Sequence, residues 1–420
     1  MKKESLLNKI ESGKNNWVSL TFLICSFVVQ IMTLSFGAEL YWMTDLKTFI
    51  WGIVLGSVLL CALLCISGYV GQKMRIPTAP MFGNIFGQLG ARIMNLILLP
   101  AGFIWVAWMS GIASNSVREV FPMIPGWIVI IVIVALSVFS AIKGVKGMEQ
   151  SGYIQAPAVL VLVLVTVIIV LSKGFGLNTL SMQVNRSEES LSLLDSMIFV
   201  VLTWISVLPI YSDFTNFIEK PKDMVIGTVL SFGICNAIMM AAGGVFAMVS
   251  GPEFNMMDGF EGAGIPRSIV LVMVLLCTWT FNDRSFYSFG LAASVVVGDR
   301  VKPWIPLVIG GIGAAVIAIT GIMDSLYAVL NILGCVYGPL LGVFLCRYYA
   351  LNGMNTCTSD FSKMIHFDAL PFIPWLIGLV LGMTIQSNGT MISFAISFAV
   401  YYVLYKLREK LKKNNSLHKR

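Results

Sequence analysis

Phe199-Val-Val-Leu-Thr-Trp-Ile-Ser-Val-Leu-Pro-Ile-Tyr-Ser-Asp-Phe-Thr-Asn216 starts as an apolar helix and stops being one before it has crossed a bilayer. Thr203, Ser206 and Pro209 interrupt it, and the polar run Ser212-Asp213-Phe214-Thr215-Asn216 follows at once. Irregular backbone and polar groups at membrane depth are tolerated only where protein covers them or where they line a cavity. The stretch 17–41 reads the same way, with Ser26 and Gln30 near its centre and Gly37 late. Working outward, about twelve blocks long enough to span can be marked: 17–41, 49–71, 93–115, 124–143, 153–173, 194–217, 224–250, 267–298, 303–322, 325–349, 370–387 and 390–407. The interrupted blocks are the first and the sixth, the leading members of two successive sets of five. Matching interruptions in two halves are the mark of an inverted-repeat transporter, although a Gly or Pro also serves helix packing alone.

Composition agrees with an all-α polytopic membrane protein. Of 420 residues 57% are hydrophobic and 12% charged, against roughly 45–50% and 25% in soluble domains. The apolar residues fall in long blocks, which excludes a soluble globule, a disordered chain and a secreted disulfide scaffold, and the connections leave no room for a separate soluble domain. The tail 1–16 is too polar and too long for a cleaved signal peptide, so the first span is expected to be retained. The eight cysteines lie mostly inside apolar blocks without a CxxC pair and read as reduced, buried hydrophobes. His366 and His418 are the only histidines and both fall outside the spans. A haem, metal or His-based catalytic site lacks its residues, so the chain is not expected to be an enzyme.

The net charge of +7 is explained by topology rather than by nucleic acid. Threading the twelve blocks from an inside N-terminus places twenty-two of the 28 Lys and Arg in inside loops and five in outside loops, with Arg284 left within a span. That asymmetry puts both termini in the cytoplasm and the chain in the cell membrane. The basic tail 408–420 serves as a topological anchor, with anionic lipid or a partner as the other reading.

Chemistry concentrates in the eighth block, Leu275-Leu-Cys-Thr-Trp-Thr-Phe-Asn-Asp-Arg-Ser-Phe-Tyr-Ser288. On a helix Thr278, Asn282 and Ser285 share one face while Thr280 and Arg284 share another. Two polar faces on one central helix imply a ligand on one side and a coupling ion or structural ion pair on the other, or else a purely structural network. Gln30, Trp105, Trp204 and Asn282 fall near the midpoints of four spans. Amides suit the edge of a planar heterocycle and Trp faces suit stacking on it, which favours a flat, polar, uncharged solute; a sugar site would use similar groups.

At these residues the chain resembles the nucleobase:cation symporter-1 family, within it the cytosine permease branch. The matching stretches are Thr203-Trp204-Ile205-Ser206 with Ser212-Asp213-Phe214-Thr215-Asn216-Phe217, Trp279-Thr280-Phe281-Asn282-Asp283 with Tyr287 and Gly290-Leu291, and Gly338-Pro339 with Gly342-Val343. The resemblance implies two inverted five-helix repeats, 17–173 and 194–349, followed by two trailing helices in 370–407, and import of a nucleobase-like ring with a cation by alternating access. It implies a ring held by Thr203 and Trp204 and by amides at the positions of Cys277 and Asn282, with sodium between the break in span one and the positions of Thr280 and Phe281. Cys277 replaces one amide and Phe281 one hydroxyl. Asn216 stands where the family has an Arg, and Arg284 is a charge the motif lacks, free to occupy the cation's place or to pair with Asp213 or Asp283.

The expected site is therefore Gln30, Trp105, Thr203, Trp204, Cys277 and Asn282 for substrate, Ser26 and Thr280 for a cation, and Asp213, Asp283 and Arg284 for coupling or gating. No cofactor is expected beyond Na+ or H+ as coupling ion. Cytosine itself, or a hydroxymethylpyrimidine, hydantoin, allantoin or purine carried with protons, are the substrate readings. A ligand sensor on the same scaffold is the reading from another class. No GxxxG stripe marks an oligomer interface.

Overall fold

The computed structural model describes residues 15–142, 145–173, 190–251, 255–298, 301–302, 304–320, 326–385 and 388–417. The N-terminal tail to Lys14, the loop residues Lys143, Arg186 and Arg300, and the end of the basic tail from His418 lie outside them. Among the described residues the chain is helical throughout, with one isolated bridge between Asn15 and Ile218.

Among the described residues twelve spans follow one another. They are span one (Trp17–Val28 and Ile31–Trp42), two (Leu46–Met74), three (Gly83–Val120), four (Gly126–Ile142), five (Val145–Ser172), six (Leu193–Leu202 and Ser212–Thr215), seven (Pro221–Thr228 through Asn236–Ser250), eight (Arg267–Val297), nine (Trp304–Thr320), ten (Leu326–Leu345), eleven (Phe372–Thr384) and twelve (Gly389–Leu417). Seven are individually long and apolar enough to cross a bilayer, span one is a bent pair, and spans four, six, nine and eleven are shorter apolar helices. Side chains start several of them: Asn16 accepts from the Val18 and Ser19 amides, Asp45 from Thr48 at 2.8 Å and Ser192 from Asp195 at 3.2 Å. Each satisfies an amide the first helical turn leaves over.

Span three begins ten residues before the apolar block that marks it. Its first turns, with Ile85 and Phe86 buried, kink at Gly87, whose φ of +78° suits glycine. There the Gln88 and Leu89 amides bond the carbonyls of Ile365 and His366, both at 2.9 Å.

Hydrogen bonds sort the connections to two ends. At one, Arg75 donates to the Glu219 carbonyl at 2.8 Å and Arg408 bonds Asp368 at 2.6 Å. At the other, Leu191 donates to the Met43 carbonyl at 2.9 Å, and Arg267 pairs with Asp258 at 3.1 Å and with Glu261 at 2.6 Å. Span one starts at the first end and span six at the second, so the two sets of five run in opposite directions.

Their packing exchanges partners. The two halves of span one lie on the two halves of span seven, and span six lies in the same manner on span two; span eight packs on three and four while span three packs on eight and nine. The close approach rests on glycine in both places. A Cβ on Gly37 or Gly243 would overlap the backbone of Met240 or Leu34, and one on Gly71 would come 2.6 Å from Ser212 Cα. Gly37, expected to help interrupt span one, instead lets that span meet span seven.

The interruptions themselves differ. Span one breaks at Val29 (φ −79°, ψ 75°) and Gln30 (φ −138°, ψ 157°), bending the pair by 59°. Span six does not open: from Trp204 to Phe214 its amides bond mainly three residues back, for example Trp204 to Val201 at 3.1 Å and Ile210 to Val207 at 3.1 Å. Pro209, without an N–H, falls inside this overwound stretch.

Candidate substrate site at the break of span one

Span eight is the spine of the site, and its side chains leave on three sides as the helical spacing dictates. Toward span three, Thr278 Oγ1 donates to the Met109 carbonyl at 3.3 Å and Asn282 Nδ2 to Ser110 Oγ at 3.0 Å. Toward span four, Asp283 accepts from Ser140 Oγ at 2.9 Å. Toward spans one and five stand Cys277, Thr280 and Arg284. Thr280 Oγ1 lies 3.5 Å from Gln30 Nε2, and Cys277 Sγ lies 3.4 Å from Gln155 Nε2 and 4.0 Å from the Val29 carbonyl. The expected separation of Thr278 and Asn282 from Thr280 and Arg284 is thus present. Cys277, grouped with Asn282 from the sequence, turns to the other face.

Arg284 is fully buried. Its Nε donates to the Leu23 carbonyl at 3.2 Å, Nη1 to the Thr280 carbonyl, and Nη2 to Ser151 Oγ at 3.3 Å. Leu23 lies in the last turns of the first half of span one, where carbonyls carry the negative end of the helix dipole. The guanidinium therefore stands where span one, broken, meets span eight. Asp213 is engaged elsewhere: its Oδ1 accepts from the Thr78 amide at 2.8 Å, tying span six to the short helix Thr78–Met81.

The aromatic residues form a second layer. Phe27, two residues before the break, stacks on Phe281 with centroids 4.6 Å apart and planes within 3°. So the position where the resemblance sets a hydroxyl is filled by a ring pair. Trp204 lies 5.6 Å from Phe27 and donates Nε1 to Asn236 Oδ1 at 2.8 Å; Trp105 donates Nε1 to Ser206 Oγ at 3.0 Å. Thr203 and Ser26 spend their hydroxyls on their own helices, bonding Val200 at 2.7 Å and Leu23 at 2.9 Å.

A cavity with about 70 Å³ open to the centre of a water molecule touches Phe27, Trp105, Ser206, Asp213 and Arg284. A single water needs roughly 10–15 Å³ by that measure, so several fit. It runs past Asn95 and Tyr337 toward Ala79 and Phe82, the end that gathers Arg75 and Arg408. Two amide oxygens beside the break, Gln30 Oε1 and Gln155 Oε1, are buried with no donor among the described residues, as are Asn282 Oδ1 on the span-three face of span eight and Asp283 Oδ1. The amide nitrogens of the two glutamines face backbone carbonyls: Gln30 Nε2 donates to Ser26 O and Gln155 Nε2 to Val29 O at 2.8 Å. Since a carbonyl only accepts, the oxygen of each amide is the atom left over.

Reading from the sequence missed Gln155, Ser206, Asn236 and Phe27. Gln155 and Asn236 are single amides in apolar spans, itself a functional signal; Phe27 carries none. No group of three or more His, Cys, Asp or Glu able to hold a metal occurs among the described residues.

Residues 10–404 match the family model for permeases of cytosine/purines, uracil, thiamine and allantoin. The cytosine permease of Escherichia coli (strain K12) is 23% identical over 343 residues, covering 80% of this chain and 79% of that one. The allantoin permease of Bacillus subtilis (strain 168) is 21% identical over 349 residues, covering 73% and 70%. Among solved structures, a nucleobase-cation-symport-1 family transporter in a closed conformation with bromovinylhydantoin bound superposes with a TM-score of 0.78 at 15% identity, covering 95% and 94%. That likeness matches the fold of two inverted five-span repeats with two trailing spans. With the family model extending over nearly the whole chain, the protein belongs to the permease family for cytosine/purines, uracil, thiamine and allantoin.

Proposed function

We propose that this permease binds one planar, N–H-bearing heterocycle where the break of span one faces the middle of span eight, and carries it across the membrane by alternating access. The observation that carries this reading is the pair of orphaned, buried amide oxygens at Gln30 and Asn282, with Phe27 stacked on Phe281 where spans one and eight meet. A buried acceptor without a donor costs about 1–3 kcal/mol, and a ring presenting N–H groups removes that cost while its faces meet aromatic walls. Trp105 and Trp204 flank the ring, and Thr203 shapes the backbone behind it. The repeats 17–173 and 194–349 rock against each other about this site, and the basic end faces the cytoplasm, so the cavity is the inner vestibule. The relatives named for cytosine and allantoin favour a small lactam or amidine ring of this kind.

The coupling ion we assign is a proton. In inverted-repeat transporters sodium is held by carbonyls at half-helix ends, and here the end carbonyls of Ser26 and Val29 are taken by the Gln30 and Gln155 amides, while the Arg284 guanidinium bonds the Leu23 and Thr280 carbonyls of spans one and eight. Ser26 Oγ is committed to its own helix. The residues present do not fit sodium. Asp213, on the cavity wall and bonded to Thr78, is the carboxylate placed to link protonation to opening of the inner end, and Asp283 braces span eight against span four. The test is thermal stabilisation of the purified protein by cytosine, uracil, hypoxanthine, hydantoin and allantoin in sodium and in choline buffers. One ring raising the melting temperature equally in both supports the reading. A shift that requires sodium removes the proton assignment, and no shift with any ring removes the site.

A further inference from the structure

We infer that Gln155 of span five is a substrate-contacting residue that sets which ring is accepted, supplying the ring-edge acceptor that span eight lacks at Cys277. The inference rests on the functional reading above and extends it to a span that reading does not use. Gln155 is 2% exposed in the middle of an apolar helix. Its Nε2 donates to the Val29 carbonyl, the last one before the break, and touches Cys277 Sγ at 3.4 Å. A thiol is a weak acceptor and a small one, so at position 277 span eight leaves room, and the long side chain from span five reaches into it. Bracing the break accounts for only half of this amide. With the nitrogen held by Val29 O, planarity turns Oε1 away from that carbonyl, and it has no donor among the described residues. The same pattern, nitrogen on a backbone carbonyl and oxygen left over, recurs at Gln30 on the other side of the break. Two such oxygens, from spans one and five, make a pair of acceptors on either side of the break that a ring with several N–H donors satisfies.

A merely bracing glutamine and a contacting one differ in what they do to ligand selectivity, which a cycle of protein and ligand changes reads out. Equilibrium binding of uracil, hydantoin and their singly N-methylated forms is measured on the full-length wild type, on Gln155→Leu and on the near-isosteric Gln155→Met, which keeps the test alive should the first variant not fold. For one N–H position, methylation is expected to weaken wild-type binding at least tenfold, and that penalty is expected to fall at least fivefold in the variants. Cys277→Asn added to Gln155→Met is expected to restore part of it. Variants that weaken parent and methylated rings by the same factor, or change neither, would overturn the inference while leaving the functional reading intact. Failure of the wild type to bind uracil or hydantoin while another ring of the panel binds would overturn the inference as stated, and failure to bind any ring of the panel would overturn both.

Discussion

The two interrupted spans solve the same problem in opposite ways. Span one opens at Val29 and Gln30, and its freed carbonyls are taken up by side chains, Gln30 at Ser26, Thr33 at Val28 and Gln155 at Val29, with Arg284 added at Leu23 one turn earlier. Span six tightens instead, and its backbone closes on itself with bonds three residues back, helped by Ser67, which donates to the Leu208 carbonyl. An opened helix needs several polar partners and so gathers chemistry; an overwound one needs fewer and can present Trp204 and Ser206 as wall. Position in the repeat is equivalent, yet the polar site forms at one break alone.

The sharpest way to break this contrast is to remove the guanidinium. Arg284→Met removes the charged donor shared by the Leu23 and Thr280 carbonyls and Ser151 Oγ, and charged hydrogen bonds are worth about 1.5–3 kcal/mol each. The melting temperature should fall by the equivalent of roughly 3 kcal/mol or more, and Arg284→Ser should acquire stabilisation by sodium that the wild type lacks. A comparable loss in Ser67→Ala at the second break would erase the distinction.

Next in size is the contact that holds each broken span. Gly37→Ala pushes a Cβ into the Met240 backbone, and overpacking of this kind costs about 1–3 kcal/mol. Chemical denaturation should register it at span one, with Gly52→Ala, whose nearest neighbour is Ser196 Cβ at 2.7 Å rather than backbone, costing less.

Smaller still, Trp105→Phe removes the bond to Ser206 while keeping an aromatic face, and ring affinity should drop by about tenfold or less, since a neutral hydrogen bond is worth roughly 1 kcal/mol. Asp213→Asn keeps an acceptor for the Thr78 amide, so stability should change little. Uptake into proteoliposomes should instead lose its dependence on an imposed pH gradient. Retained gradient dependence would move the coupling carboxylate elsewhere.

Much of the architecture was legible because membrane spans are coded by length and hydropathy alone, and because Gln30 falls in the first break and Ser26 three residues before it. The character of the second break was not, since Pro209 signals interruption without saying whether the backbone opens or tightens. Helical spacing separated Asn282 from Arg284 correctly. It could not place Cys277, because an apolar thiol on the boundary between two faces is steered by what the facing spans offer, here Gln155 and Val29 O. The partners of Trp105 and Trp204, Ser206 and Asn236, depend on how the two repeats interlock, which no local pattern records.

The most direct test of a ligand site with a resident cation is the dissociation constant of the preferred ring, measured by equilibrium binding to the wild type in sodium and in choline at one pH. The account expects the two values to agree within about twofold; binding at least tenfold tighter in sodium would contradict it.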